Sequence, residues 1–188
     1  ATAGRRNAEI LADLFPRHDA AALTRLANAK EALYRALAAE RLTLIAGALD
    51  LLDAARQRGL KLAICTAAPP GNIEIVFQRF ALRERVDTVT SPADPRIGAG
   101  PDERLRGKPH PDIFIEAARR LDCDPARCIV FEDAPLGVEA ARRAGMRALA
   151  LTTSLPAAAF TTFSNLIGVA GDLRACDLDT LLRDPTHA

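Results

Sequence analysis

Cys128-Ile129-Val130-Phe131-Glu132-Asp133-Ala134-Pro135-Leu136-Gly137-Val138-Glu139-Ala140-Ala141-Arg142-Arg143-Ala144-Gly145-Met146 decides how this chain folds. Cys128–Phe131 is a short apolar run of strand type, and Gly137–Ala144 reads as a helix stopped by Gly145. Arg147–Leu151 is a second apolar run directly after that stop. A strand, a short helix and another strand make the repeating unit of a parallel sheet covered by helices.

The same alternation continues in both directions. Upstream, residues 47–58 predict a helix closed by Gly59, Lys61–Cys65 a strand, and residues 71–80 a helix. Val86–Thr90 predicts a strand. Pro111–Leu121 predicts a helix with Phe114, Ala117, Ala118 and Leu121 on one face. Downstream, residues 166–169 add a terminal strand and residues 177–183 a last short helix. The fold class is therefore α/β, a Rossmann-like doubly wound parallel sheet spanning residues 46–188. Ser91–Gly107 is the one long irregular connection, rich in Pro, Gly and charge, of the kind that is functional or mobile.

Residues 1–45 differ in style and predict helix alone. Ile10, Leu11 and Leu14 form a short apolar face. From Asp19 to Arg41, Leu23, Leu26, Ala27, Ala29, Leu33, Leu37 and Ala38 recur at helical spacing. Arg25, Lys30, Glu31 and Arg35 lie between them, spaced for contacts along a helix surface. Asp19 is placed to cap that helix.

Composition narrows the function classes. Of 188 residues, 49% are hydrophobic and 26% charged, which suits a globular chain with one good core. A net charge of +1 argues against binding nucleic acid or an anionic membrane through bulk charge. Trp is absent and Tyr occurs once, so base-stacking platforms are not expected. Cys65, Cys123, Cys128 and Cys176 form no Cys-x-x-Cys and cluster with no histidine, which argues against structural zinc and fits a reducing compartment. No apolar run reaches the ~18 residues of a membrane span, and residues 1–30 carry no signal-peptide pattern. The expectation is a cytoplasmic protein.

Open parallel sheets bind ligands at the carboxyl ends of their strands. The first predicted strand ends at Thr66, whose hydroxyl and following backbone N–H groups suit phosphate oxygens. The third runs into Glu132-Asp133, two hard oxygen ligands of the type Mg²⁺ takes together with water and substrate phosphate. Lys108 offers a compact positive charge that balances phosphate and a neighbouring carboxylate. Pro109 and Pro111 stiffen its approach to the next helix. A P-loop is excluded, because Pro109 follows Gly107-Lys108 and Asp102 stands where the first glycine must be.

Three stretches resemble motifs of the haloacid dehalogenase-like phosphatases. Ile64-Cys65-Thr66-Ala67-Ala68 looks like the second motif. Arg106-Gly107-Lys108-Pro109-His110-Pro111-Asp112-Ile113-Phe114 looks like the third, and Val130 to Met146 looks like the fourth. The last run resembles the subgroup with a small helical cap, which holds sugar-phosphate phosphatases and β-phosphoglucomutases. The resemblance implies residues 1–45 as part of that cap and residues 46–188 as the core. It also implies Thr66 and Lys108 as catalytic residues, Glu132 and Asp133 as metal ligands, and Mg²⁺ as cofactor. Ala67 and the cap turn containing Arg5, Arg6 and Asn7 are implied to face a small phosphorylated metabolite.

The family's first motif, Asp-x-Asp on an N-terminal strand, has no counterpart. Asp177-Leu178-Asp179-Thr180 has its Thr one position early and lacks a preceding apolar strand, so it reads as a helix cap. In the family the missing strand lies in mid-sheet. Its removal leaves two neighbours with unpaired backbone groups, at about 1–3 kcal/mol for each one buried. The sequence is therefore expected to continue upstream by roughly 20–40 residues, enough for a strand, a loop and a helix. The implied activity is phosphatase, with a nucleophilic aspartate from that upstream part. A mutase, a non-catalytic phosphate- or metal-binding protein and, on fold analogy, a dehalogenase remain as alternatives.

Overall fold

The structure is a computed structural model that describes residues 7–94 and 105–183. Helices α1 (Asn7–Leu14) and α2 (Ala20–Arg41) come first and pack on each other. Next come α3 (Ala48–Gln57), β1 (Ala63–Cys65), α4 (Pro70–Phe80) and β2 (Thr88–Thr90). Then follow α5 (Asp112–Leu121), β3 (Ile129–Glu132), α6 (Pro135–Arg143) and β4 (Arg147–Leu151), and last β5 (Leu166–Ala170) and α7 (Leu178–Leu181).

All strand pairings are parallel, and the sheet is divided in two. β1 pairs with β2, while β3, β4 and β5 form a second ladder in that order. Among the described residues no ladder joins β1 to β3. The sequence predicted one doubly wound sheet with an open slot in its middle, and the division falls between the strands carrying Thr66 and Glu132. One hydrophobic cluster still spans both parts. Ile113, Phe114 and Ala118 of α5 pack with Val130 of β3, Val138, Ala140 and Ala141 of α6, Ala148 and Ala150 of β4, and Phe160. β4 sits between two strands and is buried from Ala148 to Leu151, which explains its unbroken apolar sequence.

Several boundaries shift for local reasons. β1 begins at Ala63 rather than Lys61, and β2 at Thr88 rather than Val86. The Asp87 carboxylate accepts from Leu62 N–H at 2.7 Å, so a side chain replaces the next rung of the ladder. α6 begins at Pro135, two residues before the predicted start, because proline at the first helical position has the right φ and lacks only an N–H that would be unpaired there. Gly145 ends it with φ +74, and Met146 N–H reaches back to Ala141 O at 2.9 Å. Asp19 caps α2 by accepting from Ala22 N–H, and Asp177 caps α7 by accepting from Asp179 and Thr180, both as the sequence predicts. The four cysteines are free thiols. Residues 95–104 of the irregular connection lie outside the described residues.

α2 packs along α4. Arg79 of α4 donates to the carbonyls of Ala39, Glu40 and Leu42, satisfying the last turn of α2 from the neighbouring element. Among the described residues no helix is long and apolar enough to cross a membrane.

Candidate active site

The carboxyl ends of β3 and β4 lie side by side, as parallel pairing requires, and Cys65 at the end of β1 packs against the shared core near Lys108 and Glu132. Thr66 follows β1, is half-buried, and holds its own loop: its hydroxyl accepts from Ala68 N–H at 3.0 Å and its N–H donates to Thr90 O at 3.0 Å. Ala67 is exposed beside it. No hydrogen bond joins Thr66 to Lys108, which stands across the division of the sheet.

Lys108 and Glu132 are brought together. They form an ion pair with both side chains about nine-tenths buried, at 10% and 9% exposure. The Lys108 ammonium also stands 5.2 Å from the centre of the Phe114 ring, a cation–π distance. Burial pushes the Glu132 carboxyl above its usual range, and the Lys108 charge and the Ala134 N–H pull against that push. Glu132 closes β3 and tucks under the first turn of α6. A Cβ on Gly137 would land on its carboxylate, so any other residue there obliges the Glu132 side chain to move.

Asp133 faces different partners. Ser154 Oγ donates to Asp133 Oδ2 at 2.5 Å, and Thr153 Oγ1 does so at 3.4 Å. Both hydroxyls follow β4, so they reach the same edge as Asp133. Neither was singled out from sequence, although three consecutive hydroxyl residues, Thr152 to Ser154, after an apolar strand are the available signal. Arg5 and Arg6 lie outside the described residues. Asn7 opens α1, and its side chain is likewise outside them.

The arrangement brings a buried cation, an exposable carboxylate and a hydroxyl-bearing loop to one strand edge. Among the described residues no group of three or more His, Cys, Asp or Glu side chains forms a complete metal cage. The donors fit Mg²⁺ all the same, since that ion keeps several waters and takes one or two carboxylates plus substrate phosphate. Asp133 is the carboxylate turned toward the edge, and Glu132 is occupied by Lys108.

The model of one protein family, "haloacid dehalogenase-like hydrolase", matches residues 2–145. The chain belongs to the haloacid dehalogenase-like hydrolases. A haloacid dehalogenase-like hydrolase domain-containing protein of Arabidopsis thaliana is 33% identical over 140 residues, covering 73% of this chain and 42% of that protein. Validoxylamine A 7'-phosphate phosphatase of Streptomyces hygroscopicus subsp. limoneus is 32% identical over 108 residues, covering 57% and 46%. The structure of CbbY from Rhodobacter sphaeroides in complex with phosphate superposes with a TM-score of 0.73 at 27% identity, covering 93% of this chain and 77% of that one. The chain thus spans less than half the length of these two curated relatives.

Proposed function

We propose that this chain belongs to a Mg²⁺-dependent phosphatase that hydrolyses the phosphomonoester of a small metabolite, a sugar phosphate in the first instance. The observation that carries this reading is the buried Lys108–Glu132 pair at the strand edge shared with Asp133. A lysine oriented by a buried carboxylate is a preorganised cation for phosphoryl oxygens, and it needs no rearrangement when charge develops. The Thr66 hydroxyl and the Ala67 N–H supply hydrogen bonds to the same phosphoryl group. The phosphatase name of one relative and the phosphate held by another support the substrate class.

Residues 1–45 serve as part of the cap, with Arg5, Arg6 and Asn7 toward the substrate, and residues 46–188 as the core. The nucleophile in this reading is an aspartate outside residues 1–188. Its carboxylate attacks phosphorus, the ester oxygen leaves with a proton, and water then hydrolyses the acyl phosphate. Bound Mg²⁺ would neutralise charge on the transferring group, with Asp133 as its direct carboxylate and Glu132 beside it.

The test is inorganic phosphate release from a panel of phosphomonoesters by the whole protein with Mg²⁺. Lys108→Ala and Asp133→Asn are each expected to lower kcat/KM by about a hundredfold or more. Undiminished release by Lys108→Ala would remove the lysine from its role. A mutase would return the phosphoryl group to a sugar instead, without stoichiometric phosphate.

A further inference from the structure

Asp133 carries both of its hydroxyl donors on a single oxygen. Ser154 Oγ at 2.5 Å and Thr153 Oγ1 at 3.4 Å donate to Oδ2, and among the described residues Oδ1 accepts no hydrogen bond. An ionised carboxylate has about four acceptor sites, two on each oxygen. Those on Oδ2 are filled and those on Oδ1 stay available. Two donors from one loop also fix the plane of the group.

The donors are themselves held. β3 and β4 run side by side up to the Glu132–Ala150 pair, which brings the residues after β4 to the residue after β3. Thr152 N–H donates to Ala170 O at 2.9 Å, and its hydroxyl reaches the same carbonyl at 3.4 Å, so the residue before Thr153 is tied to the end of β5. Leu155, directly after Ser154, packs against the core cluster, and Phe160 in the turn that follows is fully buried. Thr153 and Ser154 are exposed, yet the chain on both sides of them is anchored. Core packing asks for no particular side chain at exposed positions, and what these two side chains touch is Asp133.

Hard divalent cations respond to such a difference between two oxygens. Ca²⁺ takes about six to eight oxygens and accepts a carboxylate through one or both of them, whereas Mg²⁺ is smaller and holds to a strict octahedron. With Oδ2 occupied, Asp133 has one oxygen to offer. We propose that Ser154, with Thr153 in support, is a positioning residue that presents Asp133 to the metal through Oδ1 alone and so favours Mg²⁺ over Ca²⁺. This rests on the Mg²⁺-dependent reading above, in which Asp133 is the direct carboxylate. Ser154 touches neither metal nor substrate in it and acts through Asp133, as the outer partners of metal ligands do.

The experiment titrates the whole protein with Mn²⁺, reading the free ion by its electron paramagnetic resonance signal, and then displaces it with Mg²⁺ or Ca²⁺. Ser154→Ala should weaken Mg²⁺ binding about tenfold. Ca²⁺ binding should weaken by less, because the freed Oδ2 lets Ca²⁺ take both oxygens. Ser154→Thr should stay close to wild type, since it keeps the donor. Thr153→Val should show a smaller loss, in line with its longer contact, and it gives the answer should Ser154→Ala not fold. In phosphate release, Ser154→Ala should raise the Mg²⁺ concentration for half-maximal rate by the same factor and leave KM for the ester near the wild-type value. Unchanged Mg²⁺ affinity in Ser154→Ala, or equal weakening of both ions, overturns this inference alone. Ser154→Thr as weak as Ser154→Ala does so too. Binding of no divalent ion by wild type overturns the Mg²⁺-dependent reading and this inference with it.

Discussion

Replacing Gly137 by alanine isolates the seat of Glu132. In an ordinary helix the change gains about 1 kcal/mol, because glycine is the poorer helix former by that amount. Here the new methyl group would overlap the Glu132 carboxylate. The side chain must shift to make room, and turning out separates it from Lys108 and from the Ala134 N–H. Disrupting a buried ion pair costs about 3–5 kcal/mol when one partner is lost. The net expectation is a destabilisation of about 2–4 kcal/mol, at least about 4 °C in Tm for a chain of this size. Thermal and denaturant unfolding of Gly137→Ala measure it. Glu132→Ala provides the second arm, since with the carboxylate removed Gly137→Ala should become neutral or stabilising by up to about 1 kcal/mol. Gly107→Ala is the control, because a Cβ there meets nothing within 4 Å. If Gly137→Ala were as stable as wild type, the carboxylate would not sit under α6 and the reasoning would fail.

Lys108→Met leaves Glu132 buried without its cation. It should cost about 3–5 kcal/mol at neutral pH. The deficit should grow as pH rises, because a buried carboxyl with a raised folded-state pKa favours folding only while protonated. Guanidinium chloride titrations at several pH values measure both. Arg119 and Arg120 hold the Glu116 carboxyl down at about 2, and Arg142 and Arg143 hold Glu139 there too. Their folded pKa lies below the ordinary 4.5, so the stability they contribute is present above that pH and fades as pH falls toward 2. Glu116→Gln should flatten the acid limb of Tm against pH, and an unchanged limb would discount these pairs. Arg79→Ala should free the last carbonyls of α2 and lower stability by about 1 kcal/mol. Faster amide exchange in the residues after Ala38 checks that.

Every predicted helix and strand of the α/β part is present, and much of the punctuation is local: Pro70, Pro135 and Asp177 at helix starts, Gly59 and Gly145 after helix ends, and apolar faces of the right period. Asp122 is instructive, since it ends α5 at φ +52 where the sequence offers no glycine. The division between β1 and β3 was legible as well, from the absence of an apolar strand with the needed carboxylates. What sequence does not carry is the assignment of partners. Glu132 and Asp133 are adjacent and read as a matched pair, yet one turns inward to Lys108 and the other toward Ser154, since neighbours at a strand end point opposite ways. Glu31 and Arg35 stand one turn apart on α2, and only the docking of α4 reveals that the Asn72 amide contacts both.

α5 touches β1 and β2 on one side and α6 on the other, and its Ile113, Phe114 and Ala118 belong to the cluster shared with β3 and β4. With no ladder between β1 and β3, this one helix is the keystone of the two half-sheets. The lysine that precedes it and the Phe114 ring beneath that lysine are correctly seated only when both halves have docked. Ring-proton chemical shifts of Phe114 should therefore report on either half: loosening β2 or β4 alone would register there before it reached the surface.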